Sequence, residues 1–181
     1  MEQQPVVQRH KIFFVGTTKV GKTALIHRYI HDTFSEEYEP TQGIDFMSKS
    51  ADGKKLQFWD TAGQEKYRAI IPTNVESSSI VAFVYDVTIK DSLTALSRDY
   101  LPLLANSIEK TSHLLLIGNK TDLPDRQVST EEGEAFALNN GMMYLETSAL
   151  NFDKKVFLGK IYELLEKYNA QPAPPTNEEK A

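Results

Sequence analysis

Three observations predict an α/β fold with a mostly parallel six-stranded sheet, one antiparallel edge strand and helices on both faces. Short apolar runs alternate with stretches of helical spacing along the whole chain. Most of these runs are apolar at successive positions, the pattern of strands covered on both faces. One pair of runs is joined by Ala51-Asp52-Gly53, a tight-turn signal that supplies the antiparallel edge.

Taken in order, Ile12 to Val15 is a buried strand that ends at Gly16. Leu25, Ile26, Tyr29 and Ile30 then recur at helical spacing. The segment Asp32 to Gly43 shows no period and is read as irregular. Asp45 to Ser50 and Lys55 to Trp59 are the two strands of the hairpin, and Ile80 to Tyr85 is another buried strand. Leu93, Leu96, Tyr100 and Leu103 give a helical face, in which Pro102 bends or ends a turn. Leu114 to Ile117 is a strand. Ser129 and Glu132 form a capping box for a helix ending near Gly141. Met143 to Glu146 is the last strand, and Phe157, Ile161, Leu164, Leu165 and Tyr168 line the last helix. One domain is expected over residues 10–168, with flexible tails over 1–9 and over the Pro-rich 169–181.

Composition narrows the function. A net charge of −5 and a pI near 5.4 argue against a nucleic-acid partner, which asks for a basic face. Without cysteine there is no disulfide, thiolate metal site or cysteine nucleophile. No apolar run approaches the roughly 18 residues that span a bilayer, and MEQQPVVQRHK lacks a signal-peptide core.

Gly16 to Thr23 reads GTTKVGKT, a match to G-x-x-x-x-G-K-[ST] placed after a strand and before a helix. Gly16 and Gly21 let the backbone approach phosphates. Loop N–H groups and the helix N-terminus supply positive potential. Lys22 can reach the β and γ phosphates, and Thr23 can offer its hydroxyl to Mg²⁺. The loop alone does not separate ATP from GTP. Asn119-Lys120-Thr121-Asp122 and Glu146-Thr147-Ser148-Ala149 do, because both follow strands at the edge where such sheets bind ligands. The Asp122 carboxylate can accept N1–H and the exocyclic amine of guanine. Adenine would leave it unpaired, and unpaired buried polar groups give large discrimination.

With these motifs the sequence resembles the small GTPases of the Ras superfamily, with the P-loop NTPase G-domain fold. The likeness spans about residues 9–168 and rests on GTTKVGKT, Thr41, WDTAGQE at 59–65, NKTD and ETSA. Within that superfamily GIDF at 43–46, KLQFWDTAGQE at 55–65, YRAIIP at 67–72 and VYDVT at 84–88 resemble the Rab family. IIPTNVESSSIVAFVYDVT and GNKTDLPDRQVSTEEGE most resemble the Golgi-associated subfamily.

The resemblance implies a GTP/GDP switch that slowly hydrolyses GTP and regulates vesicle trafficking by recruiting effectors. Mg²⁺ would be held by Thr23 and Thr41 and, through water, by Asp60. Thr41 and the backbone of Gly63 would sense the γ-phosphate. Its loss would release Asp32 to Gly43 and Ala62 to about Asn74, an order–disorder switch. Gln64 would position the attacking water, with Lys22 and Thr41 also catalytic, and unaided turnover would be slow. Phe34 would pack on the guanine edge, Asn119 would hold its N7 side, and the stem of Lys120 would lie along the base. Ser148 and Ala149 would present backbone to O6. Thr18, Lys19, Val20, Ala24, Tyr38, Leu123 and Leu150 complete the implied nucleotide site. Effectors, an exchange factor and an activating protein would bind through Thr33-Phe46 and Trp59-Asn74, on a monomer at the cytosolic face of Golgi or endosomal membranes.

Four positions depart from the Rab pattern. Lys19 lies inside the phosphate loop, either pointing to solvent or acting as a second cation beside the phosphates. Gln42 replaces an apolar residue. Asn74 replaces a tyrosine that would join Phe46 and Trp59 in an aromatic partner-binding cluster. Leu150 follows Ser-Ala where lysine is frequent. Prenylation needs a C-terminal cysteine and this sequence holds none, so either a cysteine-bearing tail lies beyond it, the favoured reading, or the protein is soluble. His27 and His31 stand four apart on a helix without a third ligand following, and are read as surface histidines. Two other functions remain in view. A GTP-binding interaction module with negligible hydrolysis is kept alive by Lys19, Gln42 and Asn74. A P-loop ATPase or small-molecule kinase is opposed by NKTD and ETSA.

Overall fold

The computed structural model describes residues 7–110 and 112–169, without the side chains of residues 168 and 169. The Tyr168 side chain, and residues 1–6 and 170–181 of the expected tails, therefore lie outside what is described. Among the described residues six strands form one sheet: β1 (Gln8–Val15), β2 (Ile44–Ala51), β3 (Lys54–Thr61), β4 (Ile80–Asp86), β5 (His113–Asn119) and β6 (Met143–Glu146). Their order is β2-β3-β1-β4-β5-β6. Only β2 runs antiparallel, paired with β3 from Ile44↔Thr61 to Ala51↔Lys54. The turn between them places Asp52 and Gly53 at φ 49° and 75°, the left-handed geometry a two-residue hairpin needs. The predicted fold class is the observed one.

The helices are α1 (Lys22–His31), α2 (Ile71–Val75), α3 (Lys90–Ala95), α4 (Leu101–Leu104), α5 (Thr130–Asn139) and α6 (Lys154–Asn169). Two cores result. On one face Ile12, Phe14, Phe58, Ala82 and Val84 pack against Leu25, Ile26 and Tyr29 of α1 and Phe157, Ile161 and Leu165 of α6. On the other, Phe13, Val15, Val81, Phe83 and Tyr85 meet Ile71 and Val75 of α2, Leu93 of α3, Leu104 of α4 and Ala137 of α5. All seven residues of β4 are buried, as a strand between two helix layers requires. The edge strand β2 instead alternates along IDFMSKSA, with one face open.

Three elements differ from the sequence reading. Residues 8 and 9, assigned to the tail, are strand residues opposite Lys54 and Lys55. The helical face from Leu93 to Leu103 is α3 and α4 joined by a wider, π-type turn at Leu96–Tyr100. Pro102 accounts for that turn, since it has no N–H and its ring crowds the carbonyl of Arg98. A 3₁₀ turn at Glu65–Ile70 and helix α2 occupy a stretch for which no element was foreseen. The capping box holds: Ser129 Oγ accepts the Glu132 N–H and Glu132 Oε2 accepts the Ser129 N–H, both at 3.1 Å.

Candidate functional site

The parallel strands β1, β3, β4, β5 and β6 bring their C-terminal ends to one edge, and most predicted site residues lie at or after those ends, while Phe34, Tyr38 and Thr41 come from the irregular segment between α1 and β2. Leaving β1, the chain turns through residues 16–21 into α1. Gly21 precedes the helix at φ 97°, and a Cβ there would collide with the Asn119 amide. Only glycine satisfies both constraints. Lys22 is 5% exposed, and its Nζ donates to the Gly16 and Thr17 carbonyls at 2.8 and 2.9 Å. Burial lowers its pKa to about 8, against the opposing pull of Asp60.

Three oxygens converge beside this lysine from α1, the irregular segment before β2, and β3. Thr23 Oγ1 lies 2.8 Å from Thr41 Oγ1 and donates to Asp60 Oδ2 at 2.5 Å; Thr41 Oγ1 donates to the same oxygen at 3.2 Å. Asp60 is fully buried, and its Oδ1 has no partner among the described residues. Burial raises its pKa, while Thr23, Lys22 and Thr41 pull it down. Beyond β3 the Ala62 N–H donates to the Gly43 carbonyl at 2.8 Å, which joins the two predicted switch segments. Gly63 lies against the phosphate loop so closely that a Cβ would strike the Thr17 and Thr18 backbone. Gln64 follows, half-buried, and its carbonyl starts the 3₁₀ turn by accepting the Tyr67 N–H at 3.0 Å.

A second group gathers at the ends of β5 and β6. Asn119 is 1% exposed; its Nδ2 donates to the Val20 carbonyl at 2.9 Å and its Oδ1 is buried without a partner among the described residues. Ser148 Oγ donates to Asp122 Oδ1 at 2.5 Å and accepts the Asn151 N–H at 3.0 Å. The Thr121 N–H donates to the Thr147 carbonyl at 3.3 Å, and the Thr147 N–H to the Gly118 carbonyl at 2.9 Å, so the two motifs are tied together. Lys120 Nζ donates to the Lys19 carbonyl at 2.6 Å and pairs with Asp86 Oδ2 at 2.9 Å. Phe34, Leu123 and Leu150 are exposed at 37%, 42% and 44%. Val20 and Ala149 are buried and Ala24 half-buried, each packed in the core between the sheet and α1 and α6.

A model of the Ras family matches residues 11–166. The chain belongs to the Ras family. As a Ras-family domain it is a small GTPase switch, and the family binds guanine nucleotide generally with Mg²⁺. The residues present fit that ion. Mg²⁺ favours hard oxygen donors: two hydroxyls converge here on Asp60 Oδ2, and the buried Oδ1 of the same carboxylate has no partner among the described residues. Held there, Mg²⁺ would supply positive charge against the nucleotide's phosphates. This Ras-family chain can contribute the rest: Lys22 a cation at the loop, Thr23 and Thr41 hydroxyls, and Gln64 a side chain at the rim.

The sequence reading missed Asp86. It is 1% exposed at the end of β4, its Oδ1 accepts the N–H and hydroxyl of Thr88 at 2.8 and 2.6 Å, and its Oδ2 holds Lys120. The carboxylate ending a wholly apolar run, IVAFVYD, was a readable signal. A tyrosine pair was also missed. Tyr85 and Tyr144 share a hydrogen bond of 2.7 Å, and Tyr144 donates to Glu146 at 2.7 Å. A Cβ at Gly118 or Gly133 would crowd these hydroxyls, so both glycines make room for the pair. Glu146 is further held by Arg126 and by the Thr130 hydroxyl. His27 and His31 pack edge to face, ring centres 5.7 Å apart.

Proposed function

We propose that this Ras-family chain is a Rab-type GTPase that binds GTP, hydrolyses it slowly, and recruits effectors in vesicle trafficking at the cytosolic face of Golgi or endosomal membranes. The observation that carries the switch is the Thr23–Thr41–Asp60 oxygen cluster. It joins the phosphate loop, the irregular segment 32–43 and the end of β3 through one carboxylate. An ion and a phosphate placed there would order both flanking segments, and loss of the γ-phosphate would free them. Gln64, beside Gly63 at the loop, is the residue proposed to position water, with Lys22 and Thr41 stabilising charge.

The Rab reading rests on GIDF, KLQFWDTAGQE, YRAIIP and VYDVT. Phe46, half exposed, packs edge-on against Trp59 with ring centres 5.4 Å apart, the chemistry of a partner-binding anchor. Effectors, an exchange factor and an activating protein would bind there and along residues 33–46 and 59–74. Anchoring by prenyl chains would require cysteines, and these 181 residues hold none.

The test is a single-turnover assay with Mg²⁺ and bound GTP, with ATP as the control nucleotide. Slow conversion to GDP with ATP not retained is expected. GTP retained intact for many hours would replace this reading with a GTP-binding interaction module.

A further inference from the structure

Lys19 breaks a local rule. Its φ is +65°, the left-handed region in which a Cβ is strained, and the loop around it must lie close to phosphates. A glycine would hold that backbone with less strain, so the side chain needs a reason to be there. Its partners supply one. Lys19 Nζ lies 5.5 Å from the centre of the Tyr38 ring, and the Tyr38 hydroxyl shares a 2.5 Å hydrogen bond with Thr18 Oγ1. Two neighbouring loop residues thus hold one tyrosine, the cation on its face and the hydroxyl at its tip. Tyr38 is otherwise 48% exposed and belongs to the segment 32–43, which has no regular structure. Lys120 steadies the arrangement from below by donating to the Lys19 carbonyl at 2.6 Å.

We propose that Lys19 is a positioning residue: with Thr18 it latches Tyr38 across the phosphate loop, so that the segment 32–43 closes over the nucleotide and slows its release. This rests on the reading of residues 16–23 as the nucleotide's phosphate loop. On this reading Lys19, though exposed, is neither a purely solvated side chain nor a direct phosphate cation: its ammonium lies over a ring of the switch segment, and its action on the nucleotide runs through Tyr38. The flanking Glu37 and Glu39 add acidic charge to the segment that the lysine retains.

The test follows release of a fluorescent, non-hydrolysable GTP analogue into excess unlabelled analogue, with Mg²⁺, for wild type, Lys19→Gln, Tyr38→Leu and the double variant. Lys19→Gln is expected to speed release about 2- to 5-fold, the size of an exposed cation–π contact, and Tyr38→Leu at least as much, because it also loses the Thr18 hydrogen bond. The double variant should be no faster than the faster single one, because both remove the same contact. Lys19→Arg keeps a cation that stacks on the ring and should restore the wild-type rate. A second readout is amide hydrogen exchange in the protein bound to the same analogue, which should rise over residues 32–43 in Lys19→Gln. Multiplicative effects in the double variant, or unchanged exchange over 32–43 with faster release, would overturn the latch and make Lys19 a direct phosphate cation. Unchanged release in Lys19→Gln would overturn it as well. A wild type that retains no guanine nucleotide would overturn the nucleotide reading itself, and the latch with it.

Discussion

The two ends of the candidate site are built differently. At the end proposed to hold the base, Asn119, Asp122 and Ser148 sit on or just beyond β5 and β6, and each is held by a neighbour of fixed position: Val20, Ser148 and Asn151. Asp86, Lys120 and Glu146 brace the same end from β4 to β6. At the end proposed to sense the γ-phosphate, Thr41 belongs to an irregular segment, and its contact to the rest of the site runs through Thr23 and Asp60. Residues 31–40 are all exposed. Few buried contacts mean a low free energy of local opening. A rigid end suits a question with a fixed answer, which base is bound. A loosely held end suits a question whose answer changes, how many phosphates are present.

The largest expected effect breaks the rigid end. Asp122→Ala removes an acceptor for two guanine N–H groups, and charge-assisted hydrogen bonds contribute about 1.5–3 kcal/mol each, so GDP affinity should fall roughly a hundredfold or more. Competition against fluorescent GDP measures this, with ADP competing about as well against both proteins. A loss under tenfold would remove base discrimination from this end.

Next in size is Gln64→Leu, at the loosely held end. Losing the group that orients water should slow GTP hydrolysis roughly ten- to a hundredfold. GDP release should stay unchanged, because Gln64 touches the reaction and not the base. Faster release in this variant would show that the two ends are not separable.

Lys22 lies between the ends and offers a test by pH. Burial sets its pKa near 8 in the free protein, below its ordinary value. Bound phosphates need the ammonium. Above pH 8 binding must therefore take up a proton, and below about pH 7 it need not. GDP affinity should fall about tenfold from pH 7 to pH 9. Calorimetry in two buffers of different ionisation heat should show uptake approaching one proton at pH 9. The sign for stability is opposite. A lysine whose folded pKa is lowered destabilises the free protein fully below pH 8, so stability rises with pH from about 8 towards the ordinary lysine value. Proton release on binding at pH 9 would remove Lys22 from the phosphate site.

The rigid end was the more legible of the two in sequence, for a physical reason. Its residues follow apolar runs whose strand character is unambiguous, so Asn119, Asp122 and Ser148 could be placed on one sheet edge from pattern alone. The phosphate loop was legible because its spacing is dictated by backbone geometry around phosphates. The stretch 65–75 was not. EKYRAIIPTNV carries no clean helical period, and its short turns form because Ile71 and Val75 pack under the sheet, a tertiary cause. The Tyr85–Tyr144 pair was hidden for a similar reason. Its residues lie 59 apart, and only the register of β4 with β5 and β5 with β6 brings them together. The Lys19–Tyr38 contact was out of reach because it joins a loop to a segment without regular structure.

The smallest expected effect sharpens the comparison. Tyr144→Phe deletes one hydroxyl that meets Tyr85 and Glu146. It leaves the Tyr85 hydroxyl, fully buried, without that partner. An orphaned buried hydroxyl costs about 1–3 kcal/mol, which for a domain of this size lowers the melting temperature by several degrees. Burial and the neighbouring Tyr85 and Glu146 push the Tyr144 pKa upward, so the hydroxyl is present as a donor throughout the ordinary pH range. Glu146 would still be held by Arg126 and Thr130. The carboxylate should therefore keep its place, and GDP affinity should change less than about twofold even though the fold is weaker. Thermal melting together with GDP competition separates these two quantities. A large loss of affinity alongside a small loss of stability would mean that the base end is held in place by one hydroxyl and not by a redundant frame. The contrast between a fixed end and a movable one would then have to be drawn at Glu146 instead of at the strand ends.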